Sequence, residues 1–360
     1  MVELDEKVVE VKTRIFNKEL SIFKNWKTDT EKDIEQCLLE DFQYWKVPNL
    51  CRKDTYDLQK CQEVVHKYYD KLKHVYISLI SGSEYPYIGQ INFGKFCTRC
   101  GIVDKSCPMD VIDRAFIATN FEIEDMDDNP DGSLQRFEFI EILFRIADVK
   151  FKANGKVSTY HEAFERLLHE FVFKNWIPEP WQEFRENELW KLDPHDTMEV
   201  NQINLLKIYN WMLEKKGATG QYAFDKGISL ATDSEMQIPV QRAKHCFGMS
   251  KMTVKNENKN AQLQFNVLKQ PEFYEYIARL ATEKYRDRPE ITLAEKLNRL
   301  MDIMFARFGL ARARVGVVEE AAEASSDDSV DCDEVGCNLG LFPEEQAVGA
   351  EDERVEPPTQ

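Results

Sequence analysis

The chain contains no apolar run approaching the roughly 18–20 residues that a membrane-spanning helix requires. Its opening residues are charged and lack the hydrophobic segment of a signal peptide, so we expect a soluble, cytoplasmic protein. A basic excess is also missing, since 47 Lys and Arg residues face 64 Asp and Glu residues. We therefore expect neither nucleic acid nor membrane as a partner.

The sequence patterns of common catalytic sites are absent too. It contains no glycine-rich phosphate loop, no G-x-S-x-G and no H-E-x-x-H. His161 and His169 lie eight residues apart on one predicted helix, and the corresponding distance of about 12 Å is too long for a shared metal. These absences predict a protein that is not an enzyme.

The nine cysteines are an odd number and lack the spacing of a disulfide framework. Cys97 and Cys100 form one C-x-x-C, and Cys107 lies nearby, but a zinc site usually draws on a second such pair. Buried free thiols are the favoured interpretation. A zinc site and a cysteine-based enzyme are the alternatives.

Most of the net charge of −17 lies at the C-terminal end. Residues 319–360 contain 14 Asp and Glu residues and one Arg, a net charge of −13, which leaves −4 for the other 318 residues. Because this segment is polar and lacks helical spacing, we predict a disordered, solubilising tail. A charged tether for a basic partner is the alternative.

Apolar residues recur at three- and four-residue spacing over most of the remaining chain, which predicts an all-α fold. The predicted helices cover residues 31–44, 58–80, 110–126, 137–151, 159–175, 181–192, 202–214 and 272–285. A last helix follows Thr292, which forms a capping box with Glu295. The six tryptophans are predicted to lie mainly in the core, and the proline-framed turn 176–181 is the candidate exposed contact.

Residues 127–138 read DDNPDGSLQRFE, with oxygen donors at alternating positions and Gly132 at the sixth, where the chain must turn sharply. Calcium takes six to eight oxygen ligands, which a loop with this spacing supplies. The predicted ligands are Asp127, Asn129, Asp131, the backbone carbonyl of Ser133, Gln135 through a water, and Glu138. The segment therefore predicts one Ca²⁺ site.

Residues 138–151 and 272–285 form an internal repeat, with six identical positions of fourteen. The repeat predicts a second loop upstream, which we place at 256–267. This loop keeps Asn256, Asn258 and Asn260 but has no glycine at its sixth position and no closing glutamate. We expect it to bind calcium poorly or not at all.

Loops of this type fold in pairs, because each supplies a short strand whose backbone groups need a partner. The predicted partner loops are 84–95 and 193–204. Their apolar eighth residues predict two ladders, one pairing Ile91 with Leu134 and the other pairing Val200 with Leu263.

The loop and its repeat resemble the EF-hand superfamily over roughly residues 55–290, and 129–147 and 248–254 are similar to EF-hand proteins of eukaryotic cilia and flagella. The resemblance implies calcium binding, no catalysis and attachment to a larger assembly. The expected function is a non-enzymatic calcium-binding protein with a structural or regulatory role in a cytoskeletal assembly of the axoneme. Its partners would be proteins, microtubule-associated ones among them. The alternative is a calcium-independent EF-hand-like scaffold or adaptor.

The predicted organisation has five parts. They are an N-terminal helical extension (1–54), an EF-hand lobe with the complete loop (55–155), a second EF-hand-like lobe with degenerate loops (156–290), a C-terminal helix (291–312) and the acidic tail (313–360).

Overall fold

The computed structural model describes residues 14–52, 54–82, 85–121, 132–178, 181–214, 223–257 and 261–313. Helices dominate these residues, and their single sheet has two strands of two residues each, so the all-α prediction is confirmed. No helix among them is both long and apolar enough to cross a membrane. Apart from Ala313, the predicted tail lies outside the described residues.

The helices are numbered in chain order. The first eight are α1 (Glu31–Tyr44), α2 (Val47–Cys51), α3 (Thr55–Ser81), α4 (Gln90–Arg99), α5 (Met109–Asn120), α6 (Arg136–Ala147), α7 (Tyr160–Leu167) and α8 (Phe173–Asn175). The other eight are α9 (Trp181–Phe184), α10 (Leu192–Glu199), α11 (Gln202–Leu213), α12 (Ala223–Thr232), α13 (Val240–Met249), α14 (Ala261–Asn266), α15 (Gln270–Lys284) and α16 (Leu293–Arg307). The strands are β1 (Ile88–Gly89) and β2 (Ser133–Leu134).

The predicted helices agree with this order, with interruptions that apolar spacing does not reveal. π-Helical turns at Asp148–Lys152, Leu168–Val172 and Arg185–Leu189 follow α6, α7 and α9. Thr292 and Glu295 form the predicted capping box. The predicted helix 110–126 is helical to Asn120, and its last five residues lie outside the described ones.

Helix α6 lies at the centre of the first half of the fold. Every residue of it except Arg145 is buried, which is expected of a helix with neighbours on all sides. It packs against α1, α3, α5 and α7, and the ring of Phe144 stacks on that of Phe164 in α7 at 3.7 Å. Helix α15 has the same role in the second half, with Phe273 and Ile277 fully buried.

The internal repeat is also a structural repeat. In α6, Arg145 Nε lies 3.0 Å from Glu141 Oε1, and in α15, Arg279 Nε lies 2.8 Å from Glu275 Oε1. Both glutamates are fully buried, so in each copy an arginine one turn later offsets a charge inside the core.

Lys150 and Lys284, which are identical in the two copies of the repeat, show which other helices of the two copies correspond. Lys150 Nζ donates to the carbonyl oxygen of Ile102 at 2.7 Å, between α4 and α5. Lys284 Nζ donates to the carbonyl oxygen of Met236 at 3.0 Å, between α12 and α13. The series α4, α5, α6 therefore corresponds to α12, α13, α15. The capped helices α7 and α16 pack on α6 and α15 and complete each copy.

This correspondence corrects the predicted second ladder. The loop between α3 and α4 corresponds to the one between α11 and α12, of which 215–222 lie outside the described residues. Val200 directly follows α10, and Leu263 lies in α14, so their predicted pairing is wrong. Pro194 is compatible with α10, because it lies in the first turn of the helix. There its fixed φ suits the helix and its missing N–H needs no partner.

The correspondence also corrects the register of the predicted loop 256–267. Glu138 is the twelfth residue of its loop and Leu134 the eighth, so the matching Glu272 places Leu268 at the eighth position. Leu268 is buried like Leu134. The first, third and fifth positions are then Ala261, Leu263 and Phe265, which offer no side-chain oxygen. The prediction follows the asparagines rather than the glutamate and lies five residues too early.

The tryptophan prediction holds for the buried Trp26 and Trp45. In the turn 176–181, half-buried Trp176 packs against Phe96, with ring centroids 5.2 Å apart, while Ile177 is 79 % exposed. Residues 179 and 180 lie outside the described ones. An exposed contact at this turn would therefore involve Ile177 rather than Trp176.

The two predicted lobes touch each other through α3 and α13, and also through α7, which packs against α3 and α6. A Cβ atom added to Gly248 would lie 2.8 Å from Ser81 Cβ and 3.1 Å from Ser81 Cα. Only glycine permits this approach. The predicted boundary at 155/156 stays a prediction, but helices on its two sides pack against each other at these places.

Substitution of Gly248 tests this contact. Gly248→Ala should lower the free energy of unfolding by about 1–3 kcal/mol, because the added methyl group overpacks the α3–α13 contact. Chemical denaturation measures the change. Gly82→Ala, whose Cβ would meet nothing closer than 3.9 Å, is the control. Equal stability of the two variants would contradict the close approach.

Candidate calcium site

The pairing of β1 with β2 places the described part of the predicted calcium loop. The strands are antiparallel, with Ile88 opposite Leu134 and Gly89 opposite Ser133. Both Ile88 and Leu134 are fully buried. A short ladder centred on the eighth loop residue is therefore present, as predicted for Leu134.

Its partner is not the predicted one. Ile91 lies in the first turn of α4 and is 70 % exposed, so the predicted pairing of Ile91 with Leu134 is wrong by three residues. The predicted loop 84–95 places Gly89 at its sixth position, where a calcium loop requires a turn glycine. Gly89 is instead the residue before α4, with a φ of −70° and a ψ of 157°, an extended conformation that any residue adopts.

Three of the six predicted ligands, Asp127, Asn129 and Asp131, lie outside the described residues. The next described residue is Gly132, which has a φ of +82°. This left-handed conformation is the one that the sixth position of a calcium loop demands of its glycine.

Asn120, the last residue of α5, closes the described part of the loop. Its Nδ2 donates to the carbonyl oxygen of Ser133 at 2.9 Å, and its Oδ1 accepts from the backbone N–H of Gly132. Sequence reasoning does not find this residue, because it lies seven positions before the loop. The carbonyl of Ser133 is one of the predicted ligands, and a carbonyl oxygen has a second lone pair for another partner.

Glu138 lies in the first turn of α6, and its side chain is fully buried. Its Oε2 accepts from the backbone N–H of Gln135 at 3.0 Å, which orients the carboxylate toward the start of the helix. Gln135 itself is buried just before α6, where its Nε2 lies 3.5 Å from the carbonyl oxygen of Glu257. The three described ligand candidates, Ser133, Gln135 and Glu138, thus lie within the six consecutive residues 133–138.

The residue after Gln135 links the loop to distant parts of the chain. Arg136 is 2 % exposed, and its guanidinium donates to both carboxylate oxygens of Asp41 in α1, at 2.7 and 2.9 Å. It also donates to Glu257 Oε1 at 3.0 Å. Tyr69 donates to Asp41 at 2.5 Å, and Tyr76 donates to Glu257 at 3.1 Å. The end of the loop is therefore joined to α1, α3 and the segment 254–257.

Glu257 and Asp41 share the single guanidinium of Arg136, so the buried cluster carries more negative than positive groups. Burial raises the pKa of the Glu257 carboxyl to about 7, and Arg136 only partly offsets this effect. A carboxyl that binds a proton more tightly when folded stabilises the protein at low pH.

The other titratable clusters are weaker candidates for a metal. Among the described residues, one group of three His, Cys, Asp or Glu side chains is close enough to share an ion: His195, Asp196 and Glu199. Arg14 already reaches it, with Nη1 3.1 Å from Asp196 Oδ1 and Nη2 3.7 Å from Glu199 Oε2. The guanidinium neutralises these carboxylates and repels a cation.

Cys97, Cys100 and Cys107 are buried, as the free-thiol interpretation predicts. Burial raises the pKa of all three thiols, that of Cys100 to about 12. Metal binding and nucleophilic attack both require the thiolate, which burial disfavours here.

No family model matches the chain, and neither a curated protein nor a solved structure is significantly similar to it.

Glu257→Gln tests the buried cluster through pH. Since the folded pKa lies above the unfolded value of 4.5, the stabilisation from Glu257 is complete below pH 4.5 and is lost as the pH rises through 7. From pH 4.5 to 7.5, the free energy of unfolding of the wild type should fall by about 3 kcal/mol more than that of the variant. Urea denaturation at each pH measures it.

Glu31→Gln, at an exposed glutamate of α1, is the control, and its stability should parallel that of the wild type over the same pH range. Parallel curves for Glu257→Gln and the wild type would show that Glu257 is ionised throughout, contrary to the raised pKa.

Proposed function

We propose that the chain is a non-enzymatic calcium-binding protein of the EF-hand type, with a single Ca²⁺ site at residues 127–138. One observation carries the proposal. Gly132, with its φ of +82°, is followed at once by the β2 strand paired with β1, and then by buried Glu138 in the first turn of α6. Turn, strand and glutamate have the order and spacing that a calcium loop requires.

In this proposal the side chains of Asp127, Asn129 and Asp131, the carbonyl of Ser133, Gln135 through a water and the carboxylate of Glu138 hold the ion. Calcium would place a positive charge beside the buried carboxylate of Glu138. Arg136 lies between the proposed ligands Gln135 and Glu138 and is bound to Asp41 and Glu257. Ion binding would therefore stabilise the contacts of α6 with α1 and with segment 254–257, which favours a structural role.

Glu138→Gln tests the ligand assignment by isothermal titration calorimetry. We expect the wild type to bind one Ca²⁺ per chain, with a dissociation constant on the order of 10⁻⁶ to 10⁻⁴ M. The variant should lose most of this affinity, because it removes the bidentate carboxylate. Glu272→Gln, at the matching position of the repeat, is the control and should leave calcium binding unchanged. Wild-type affinity in Glu138→Gln would contradict the assignment.

A calcium-independent scaffold is the second candidate. It is favoured by the second copy of the repeat, which packs around α15 without oxygen donors at the positions of Asp127, Asn129 and Asp131. Thermal stability separates the two functions. Calcium at 100 times its dissociation constant should stabilise the chain by about 2.7 kcal/mol if the first proposal is right. Identical unfolding in calcium and in chelator would favour the scaffold.

We also propose that the partners are proteins of a cytoskeletal assembly, of the ciliary or flagellar type that the sequence resembles. The side chains of Ile91, Ile117 and Phe121 on and beside α4 and α5 are 65–70 % exposed and offer apolar contact area. Co-sedimentation with microtubules tests the proposal. The chain should pellet with microtubules above its own background, and recovery in the supernatant at all microtubule concentrations would contradict direct binding.

A further inference from the structure

Lys251 lies just beyond α13, and its side chain is 8 % exposed. Its Nζ donates to the carbonyl oxygen of Val267 at 2.6 Å and to Glu272 Oε2 at 2.8 Å. In the register set by the repeat, these two oxygens belong to the seventh and twelfth residues of the second loop. In a calcium loop the same two positions supply a backbone carbonyl and a bidentate carboxylate to the ion.

Glu272 is 1 % exposed, so its charge requires compensation inside the protein. Two backbone N–H groups reach it, from Met252 at 2.7 Å and from Lys269 at 2.6 Å, and Lys251 adds a full positive charge. Burial lowers the pKa of Lys251, and the Glu272 carboxylate offsets part of that effect.

An ammonium group suits this place. Its donor distances of 2.6 and 2.8 Å are only slightly longer than the about 2.3–2.6 Å of calcium–oxygen bonds. An ammonium makes at most three hydrogen bonds, whereas calcium takes six to eight ligands. The loop therefore needs no further oxygens, which agrees with Ala261, Leu263 and Phe265 at its first, third and fifth positions.

The first copy differs at the same point. There, the carbonyl of the seventh residue, Ser133, accepts from the neutral amide of Asn120. An amide brings no net charge, so at this carbonyl the first copy has a neutral donor where the second copy has a cation from its own chain.

We infer that the second half of the chain holds a cation site whose permanent occupant is the ammonium group of Lys251. The site fastens the end of α13 to the start of α15 without any metal, so this half keeps one arrangement at every calcium concentration. The inference rests on the repeat and on the contacts of Lys251, and it uses the proposed calcium site only for comparison.

A double-mutant cycle in the presence of chelator tests it. Lys251→Met should lower the folding equilibrium constant by roughly two to three orders of magnitude, because Glu272 loses its counter-charge. Glu272→Gln should also destabilise. The double variant has no unpaired charge. The factor by which its folding equilibrium constant falls should therefore be roughly tenfold or more smaller than the product of the factors of the two single variants.

Lys284→Met combined with Glu272→Gln is the matched control cycle. Lys284 lies in α15, the helix of Glu272, but it donates to the carbonyl oxygens of Glu235 and Met236 instead. The effects of Lys284→Met and Glu272→Gln on the folding equilibrium constant should therefore multiply independently. Independent effects in the Lys251 cycle as well would overturn the inference.

Chemical rescue gives a second readout. Lys251→Ala should be stabilised by n-propylammonium chloride, which restores an N–H-bearing cation, and not by tetramethylammonium chloride at the same ionic strength. Equal melting temperatures in the two salts would overturn the inference. Because no calcium is present, these results do not depend on whether residues 127–138 bind it, and calorimetry of Glu138→Gln tests that proposal separately.

Discussion

The buried guanidinium of Arg136 is the interaction on which the arrangement of the first half depends. It joins α6 to α1 through Asp41 and to segment 254–257 through Glu257. Arg136 is also the first residue of α6, the almost wholly buried helix of the first copy of the repeat. Breaking a buried ion pair leaves a charge without compensation, so these three parts of the chain are constrained to move together. Because Arg136 is the tenth residue of the loop 127–138, any change at the proposed calcium site acts on a helix start that Asp41 and Glu257 already hold.

The two copies of the repeat solve the same electrostatic problem differently. Each begins its central helix with a buried glutamate, Glu138 or Glu272, whose carboxylate caps the helix but retains a charge inside the protein. In the second copy Lys251 offsets this charge. In the first copy we propose that Ca²⁺ does so. One half would then report on calcium while the other provides a constant framework, which suits a structural component better than a sensor with several sites.

The sequence predicts the helices well, because the apolar spacing of segments such as 31–44 and 272–285 reflects real burial of those apolar residues. It also places Leu134 at the centre of a strand, since the loop spacing around it is strongly constrained. Ile88 is missed as the partner because Gly89 looks like a turn glycine although its φ is negative. Lys251 and Arg136 act on groups 16 to 121 residues away, and no local pattern encodes such contacts.

We propose that matching loops of one chain hold two different cations. A crystal structure of the chain grown with calcium, with anomalous scattering to identify the ion, tests it most directly. We expect one calcium ion, bound by Asp127, Asn129, Asp131 and Glu138, and the Nζ of Lys251 between the Val267 carbonyl and Glu272. An ion beside Glu272, or a loop 127–138 that stays empty at saturating calcium, would contradict it.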